Sequence, residues 1–574
     1  MITKRIASKL LRNAKIQYWV FTLGLAIPCF LMAYTEPHPW YERVLQFVFG
    51  FGFFASTMCI MRRPTRGIYL NFIFVFFGTF QLALLWLYGN SPIAVDMFLN
   101  ALATNANEAG ELLGNIIVGV ILACGLYISL LLIGLLGWKK DKGMDERWRS
   151  KIRRRIALPT LVVSLCVASL LQLFTPFRIH QDLYPVNVSY NICLAVKRYT
   201  QITFYEHYAN GFTFHAQATH NADEQETYLF IIGETARSVN WSLYGYERET
   251  TPRLDARQNL IVYTDVLSQS NTTHKSVPLL LTTAEAADAR PMYNQHSLIQ
   301  AFREAGFYTI WISNHANNGS LIDHYSREAD VRHYVRDEQG PHTQPDDANL
   351  LTTLREVLAK DQHRKRLVVI HCYGSHFKYC ERVPENFRKF QPCQDKQLKA
   401  KNREDLINAF DNTMLYEDMI IDSLMTIVDE MPADTCSAHH VMALFTSDHG
   451  EDIYDDERHN FLHASPIVSF YQMAVPFVIW CNDAYRLDHR LETQQMEAHR
   501  MLPIGPGREV FHTMLGAAGI TCPLWKGSHA LCSEAFQCGQ RLYLNDHNEA
   551  MPLHRLHLTK NDYEQMRKRG MKTE

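Results

Sequence analysis

Apolar residues are distributed very unevenly along this chain. Five long apolar runs, at about 17–34, 44–61, 68–88, 116–137 and 156–175, fill the first third, and each approaches the ~20 residues a helix needs to cross a bilayer core. Beyond residue 175 no run of that length recurs. The pattern changes to short apolar stretches of strand length: "TYLFIIG" (227–233), "FYTIWIS" (307–313), "RLVVIHC" (366–372), "VMALFTS" (441–447) and "VPFVIW" (475–480), with helical patterns between them. Strands alternating with helices predict a largely parallel sheet covered on both faces. A mixed, aromatic-rich stretch at 181–225 joins the two patterns; it reads either as an amphipathic segment lying along a membrane surface or as an ordinary packed linker. The expected organisation is a five-helix transmembrane domain over 1–180, this linker, and a water-soluble α/β domain over 226–574.

Charge orients the apolar part. Lys4, Arg5, Lys9, Arg12 and Lys15 precede the first run, Arg62, Arg63 and Arg66 follow the second, and "KKDKGMDERWRSKIRRR" precedes the fifth. No Lys or Arg lies between Arg66 and Lys139. The positive-inside rule then places the N-terminus in the cytoplasm and, after five crossings, the soluble domain outside it. A cleaved signal peptide is the competing reading of the first run, but "IPCFLMAYT" lacks an A-x-A site and further runs follow. The net charge of −2 favours neither nucleic acid nor an acidic partner.

Cysteine usage agrees with an oxidising compartment. Cys29, Cys59, Cys124 and Cys166 fall in apolar runs, whereas nine others lie downstream. Close spacing makes Cys380 with Cys393, and some pair among Cys522, Cys532 and Cys538, the expected bridges. Zinc held by thiolates would need a C-x-x-C, which is missing.

Three strand-like runs end in metal-binding side chains: Glu234 follows "LFIIG", His371 and His376 surround a turn in "LVVIHCYGSH", and Asp448 and His449 follow "LFTS". Open α/β sheets place ligand sites at the carboxyl ends of their strands, and carboxylates with imidazoles suit zinc when no thiolate is used. A hydroxyl nucleophile is available in "SQSNTTHKSVPLLLTT" (268–283), where Thr272 and Thr273 precede a predicted helix. An N-cap hydroxyl is the alternative role there. A helix N-terminus also favours an attached phosphoryl group, and zinc would activate an alcohol that is otherwise protonated at neutral pH.

"IIGETARSVNWSLYGYERETTPRL", "TTHKSVP", "HCYGSHFKYCERVPENF", "SDHGED" and "FLHASP", behind the five N-terminal runs, resemble the phosphoethanolamine transferases that modify bacterial lipopolysaccharide, members of the alkaline phosphatase and sulfatase superfamily. The resemblance implies an α/β sandwich of that type held in the periplasm by a multi-pass domain in the bacterial inner membrane. It implies zinc held by Glu234, Thr273, Asp448 and His449, with Thr273 as nucleophile. It further implies one zinc, a second joining only with substrate being the alternative. His376 and His463 match family histidines that contact the phosphoryl group or a second metal, with His459 the alternative to His463. Ala316 stands where some relatives have a substrate-contacting serine.

The implied donor is phosphatidylethanolamine and the implied acceptor lipopolysaccharide, at lipid A or core. In "NALATNANEAGE" (100–111), Asn100, Thr104 and Glu108 would share one helical face. Such a polar stripe with no base nearby could hold an ammonium head group, as family members are implied to do; a solvated loop helix is the alternative. A phosphoglycerol transferase, a phosphohydrolase, or the same chemistry on another envelope glycan or a protein would share zinc and threonine.

Overall fold

The computed structural model describes residues 11–35, 39–88, 93–103, 106–340, 345–395, 398–432 and 438–573. The chain separates into two compact units, the first drawn mainly from residues up to Val196 and the second mainly from Lys197 onward.

In the first unit every predicted apolar run is helical: Ala14–Thr35, Trp40–Met58, Pro64–Leu70 with Phe72–Tyr88, Ala106–Gly137, and Glu146–Ile152 continuing through a π-turn into Leu158–Phe174. The expectation of five spans is only partly met. Among the described residues, three helices are long and apolar enough to cross a membrane, or four if the pair around Asn71, bent by 65°, counts as one span. Trp40–Met58 is not among them; its first turn carries Glu42, followed by Arg43. Tyr18, Phe21, Leu25, Phe54 and Tyr127 are buried in a shared core, and the Tyr18 hydroxyl donates to the Ala55 carbonyl at 2.9 Å.

The second unit is built on a seven-stranded sheet. In chain order its strands are β1 (Gln225–Gly233), β2 (Leu260–Val262), β3 (Tyr308–Ser313), β4 (Val331–Tyr334), β5 (Lys365–His371), β6 (His439–Ser447) and β7 (Phe477–Cys481), in the spatial order β2-β7-β6-β1-β5-β3-β4. β1, β5 and β6 are buried along their whole length, as central strands covered on both faces must be, and this is why they read as unbroken apolar runs. β1 pairs in parallel with both β5 and β6. β7 departs from the parallel expectation: it runs antiparallel to both neighbours, β6 and β2.

Two helices matter for the site: α1 (Thr273–Leu281) and the 27-residue α2 (Arg403–Asp429). Among the described cysteines, Cys380 and Cys393 form the expected disulfide. The second expected bridge is not made. Cys532 is buried with its sulfur toward the Thr513 carbonyl, while Cys538 is exposed and Cys522 half-buried, all three unbridged.

Candidate active site

Register brings the candidate side chains together. In the parallel pairing of β1 with its neighbours, Ile232 lies opposite His371 of β5 and Gly233 opposite Ser447 of β6. Glu234 and Asp448, each one residue past those positions, therefore emerge side by side at the carboxyl edge of the sheet, where an open α/β fold presents its ligands. β3 ends at the same edge, with Ser313 opposite His371.

Glu234, Asp448 and His449 are buried. His449 Nε2 lies 3.3 Å from Asp448 Oδ2 and 3.5 Å from Glu234 Oε1. His449 Nδ1 lies 3.0 Å from the Gly450 carbonyl oxygen; an N–H there fixes the proton on Nδ1 and leaves the Nε2 lone pair facing the carboxylates. The Thr235 hydroxyl donates to Glu234 Oε1 at 2.7 Å. Asp448 Oδ1 accepts from the His449 amide at 2.7 Å, while buried Oδ2 has no hydrogen bond.

Thr273 completes the cluster. Its neighbour Thr272 is the N-cap of α1 but makes no capping bond with its side chain, so Thr273 occupies the first helical position. The Thr273 hydroxyl donates to Glu234 Oε2 at 3.0 Å and lies 3.2 Å from His449 Nε2. A threonine serving only to cap would spend its oxygen on the free amides of the first turn; this one faces two carboxylates and an imidazole.

Burial, then repulsion from Asp448, pushes the Glu234 carboxyl up to about 8, and burial pushes Asp448 up to about 7. Burial also lowers the His449 imidazole. Two carboxyls held this way resist ionising together, and a divalent cation removes that cost. Carboxylate and hydroxyl oxygens with one imidazole nitrogen, an orphaned Oδ2 among them, form a donor set that fits zinc.

The His463 ring packs at a tilt against His449 with centroids 4.2 Å apart, and the His376 ring centroid lies 6.4 Å from that of His463. His459 is exposed. Glu234, His449 and His463 form one three-residue group able to hold a metal ion, and Glu234, His315 and His371 form another. His315 escaped the sequence reading although it obeys the same rule, following the carboxyl end of β3 in "WISNHANN". Glu417 of α2 also escaped it: both of its carboxylate oxygens are buried without a hydrogen bond, and burial followed by the neighbouring acids holds its carboxyl well above the usual range. The signal was an acid on an otherwise apolar helical face. Of the stripe expected at 100–111, Asn100 belongs to the helix Val95–Ala103 and Glu108 to Ala106–Gly137; Thr104, and the side chains of all three, lie outside the described residues.

Two glycines make room for the cluster. A Cβ on Gly450 would stand 2.2 Å from the Tyr471 carbonyl oxygen, which accounts for the glycine after Asp448 and His449. Gly374 has φ +52°, and a Cβ there would meet the Glu234 carbonyl oxygen at 2.6 Å. Gly374→Ala is therefore expected to cost about 2–4 kcal/mol, since backbone must move. Thermal unfolding of the full chain should show a lower midpoint, with weaker metal retention as Glu234 is displaced.

A seven-stranded α/β sheet with this cluster at its carboxyl edge defines a domain of the alkaline phosphatase and sulfatase type. The sulfatase family model matches residues 226–520, slightly more than half of the chain, and the chain belongs to that family. It is 30% identical over 313 residues to phosphoethanolamine transferase EptC of Escherichia coli K12, covering 52% of each chain. The chain thus spans about half the length of the curated relatives it matches. Among solved structures it is similar to the C-terminal periplasmic domain of EptC from E. coli in complex with Zn, with TM-score 0.53, 26% identity, and coverage of 60% of this chain and 97% of that one. It shares its fold with the integral membrane lipooligosaccharide phosphoethanolamine transferase A from Neisseria meningitidis, with TM-score 0.67, 22% identity, and coverage of 92% and 97%.

Proposed function

We propose that this protein is a zinc-dependent transferase that moves phosphoethanolamine from phosphatidylethanolamine to lipopolysaccharide, at lipid A or core, by way of a phosphoethanolamine ester on Thr273. The observation that carries this reading is the Thr273 hydroxyl, at the start of α1, held 3.0 Å from Glu234 and 3.2 Å from His449. Glu234, Asp448, His449 and Thr273 would hold the ion. What zinc supplies in such a setting is Lewis acidity, which lowers the pKa of a ligated hydroxyl.

In the first half-reaction Thr273 Oγ1 attacks the donor phosphorus, a new P–O bond forms, and diacylglycerol leaves carrying the proton. The ester sits at the N-terminus of α1, where the helix dipole favours a phosphoryl group. In the second half-reaction an acceptor hydroxyl or phosphate attacks the ester and Thr273 regains its proton. The kinetics should be ping-pong.

Protonated, His376 and His463 would offset charge on the equatorial phosphoryl oxygens, but burial disfavours that charged form. Burial, then the nearby Arg382 guanidinium, lowers His376 to about 4, and burial followed by His449 holds His463 well below the usual imidazole range. Both are neutral around pH 7 and act on a phosphoryl oxygen as N–H donors, or as ligands of a second ion.

The membrane domain would keep the enzyme in the bilayer with a donor that cannot leave it, and would hold the catalytic domain in the periplasm. The donor assignment is supported by the relatives, which carry phosphoethanolamine transferase names. It is tested by giving the purified full chain fluorescent phosphatidylethanolamine and phosphatidylglycerol in parallel. Release of diacylglycerol from the ethanolamine lipid is expected. Preference for the glycerol lipid would instead make this a phosphoglycerol transferase. Mass spectrometry of lipid A and core oligosaccharide from cells with and without the gene identifies the acceptor.

A further inference from the structure

A second group of ligating side chains lies far from Thr273. Glu224 immediately precedes β1 and Glu234 immediately follows it, so at about 3.3 Å per residue the two are roughly 30 Å apart along the strand. At this amino end of the sheet, one ligand atom from each of His220, Glu224 and His489 falls within 4.8 Å of the others.

We propose that His220, Glu224 and His489 form a second zinc site, separate from the catalytic centre and independent of the reaction assigned to it. His220 Nδ1, Glu224 Oε2 and His489 Nε2 are each buried without a hydrogen bond. Glu226 Oε1 lies 3.3 Å from His220 Nδ1 without forming a hydrogen bond; buried polar atoms left this way are costly, and one cation accounts for the convergence of all three. The donor set of two imidazoles and a carboxylate is that of zinc sites which leave a fourth position open. Here that position would face a cleft of about 480 Å³ lined by Thr219, Leu491 and Trp525.

The scaffold holds each ligand. His220 follows a short antiparallel pairing of Gln217–Ala218 with Ile520–Thr521, which the Thr219 amide extends by donating to the Gly519 carbonyl at 2.8 Å. His489 sits at the junction of the helices Asp483–Asp488 and Arg490–Ala498, its amide donating to the Tyr485 carbonyl at 2.8 Å. The two imidazoles stack with centroids 4.4 Å apart.

Surrounding charges favour the ion. Glu226 Oε1 lies 3.3 Å from His220 Nδ1 and 2.9 Å from the Lys365 ammonium, so the lysine balances Glu226 and leaves Glu224 for a cation. His440, with its ring centroid 5.1 Å from that of His489, is engaged by Asp488 at 2.8 Å. Burial, then His220 and His440, lowers His489 to about 4, keeping its lone pair available, and burial followed by Glu226 raises Glu224. A bound cation reverses the penalty on Glu224. The site would tie the segment entering β1 to helices more than 250 residues later in the chain.

The test uses the full chain in detergent, equilibrated with zinc, freed of loosely bound metal and assayed for zinc per chain. Glu224→Gln and His489→Gln should each lose one zinc relative to the unmodified protein. Asp448→Asn, which disables only the catalytic centre, should keep that zinc, and cobalt(II) added to it should give the visible absorption of a four- or five-coordinate ion. Zinc should raise the melting temperature of Asp448→Asn protein but not of the Asp448→Asn, His489→Gln double variant. Equal zinc in the unmodified and His489→Gln proteins, or Asp448→Asn protein that retains no zinc and gives no cobalt spectrum, would overturn the proposal. Loss of zinc from the catalytic centre alone would leave this site's zinc in place, so the two assignments fail separately.

Discussion

Thr273→Ala is expected to reduce transfer to background, a loss of about four to six orders of magnitude when a nucleophile is removed outright. The protein should still fold. Alanine is a better helix former than threonine at the first position of α1, and Thr273 makes no capping bond that its loss would break. Zinc should still bind through Glu234, Asp448 and His449, more weakly by one ligand. Thr273→Ser, which keeps the hydroxyl, should retain measurable turnover. The check is release of diacylglycerol from phosphatidylethanolamine by each variant, beside its melting curve and zinc content. Alanine protein that folds, holds zinc and turns over normally would refute the assignment.

The second large effect concerns Glu234. Glu234→Gln preserves shape but removes a charge from the ligand set, and it should lower both zinc content and turnover by at least two orders of magnitude. Chelation of the unmodified protein should do the same, reversibly. A pH signature accompanies metal loss. In the metal-free protein burial holds Glu234 at about 8 and Asp448 at about 7, whereas in the unfolded chain both revert to about 4. Between those values the folded state carries more protons than the unfolded one, so the stability of stripped protein falls as pH rises from about 5 to 8. Zinc replaces those protons. The difference in melting temperature between loaded and stripped protein should therefore widen over that range, and a difference that narrows would contradict the metal assignment.

Much of this was legible in the sequence because burial writes itself into composition. β1, β5 and β6 are covered on both faces, so "TYLFIIG", "RLVVIHC" and "VMALFTS" marked them to within two residues. β2, only "LIV", was too short to stand out, and β4 left no such trace. They are edge strands of three and four residues, half exposed, and a stretch such as "VRHY" carries no apolar run. The reversal of β7 was equally unreadable, since direction depends on a connection rather than on the strand's own residues. In the first unit, apolarity located the long helices, but Tyr41, Glu42, Arg43 and Gln46 lower the hydropathy of Trp40–Met58 and separate it from the helices long and apolar enough to cross a membrane.

The candidate site was readable for a related reason. Ligands at strand ends interrupt apolar runs, so Glu234, Asp448 and His449 stood out. His315, two residues past β3, obeys the same rule but is set back from the strand end, and Glu417 is one acid within the long helix α2; their place in the cluster needed three dimensions to be found. The protonation of His376 and His463 likewise depended on burial that no spacing reveals.

The most direct test of the account is intact-protein and peptide mass spectrometry of enzyme mixed with phosphatidylethanolamine in the absence of acceptor. A single phosphoethanolamine should appear on the peptide containing Thr273, and it should disappear when acceptor is added. Unmodified Thr273 throughout a reaction that continues to release diacylglycerol would contradict it.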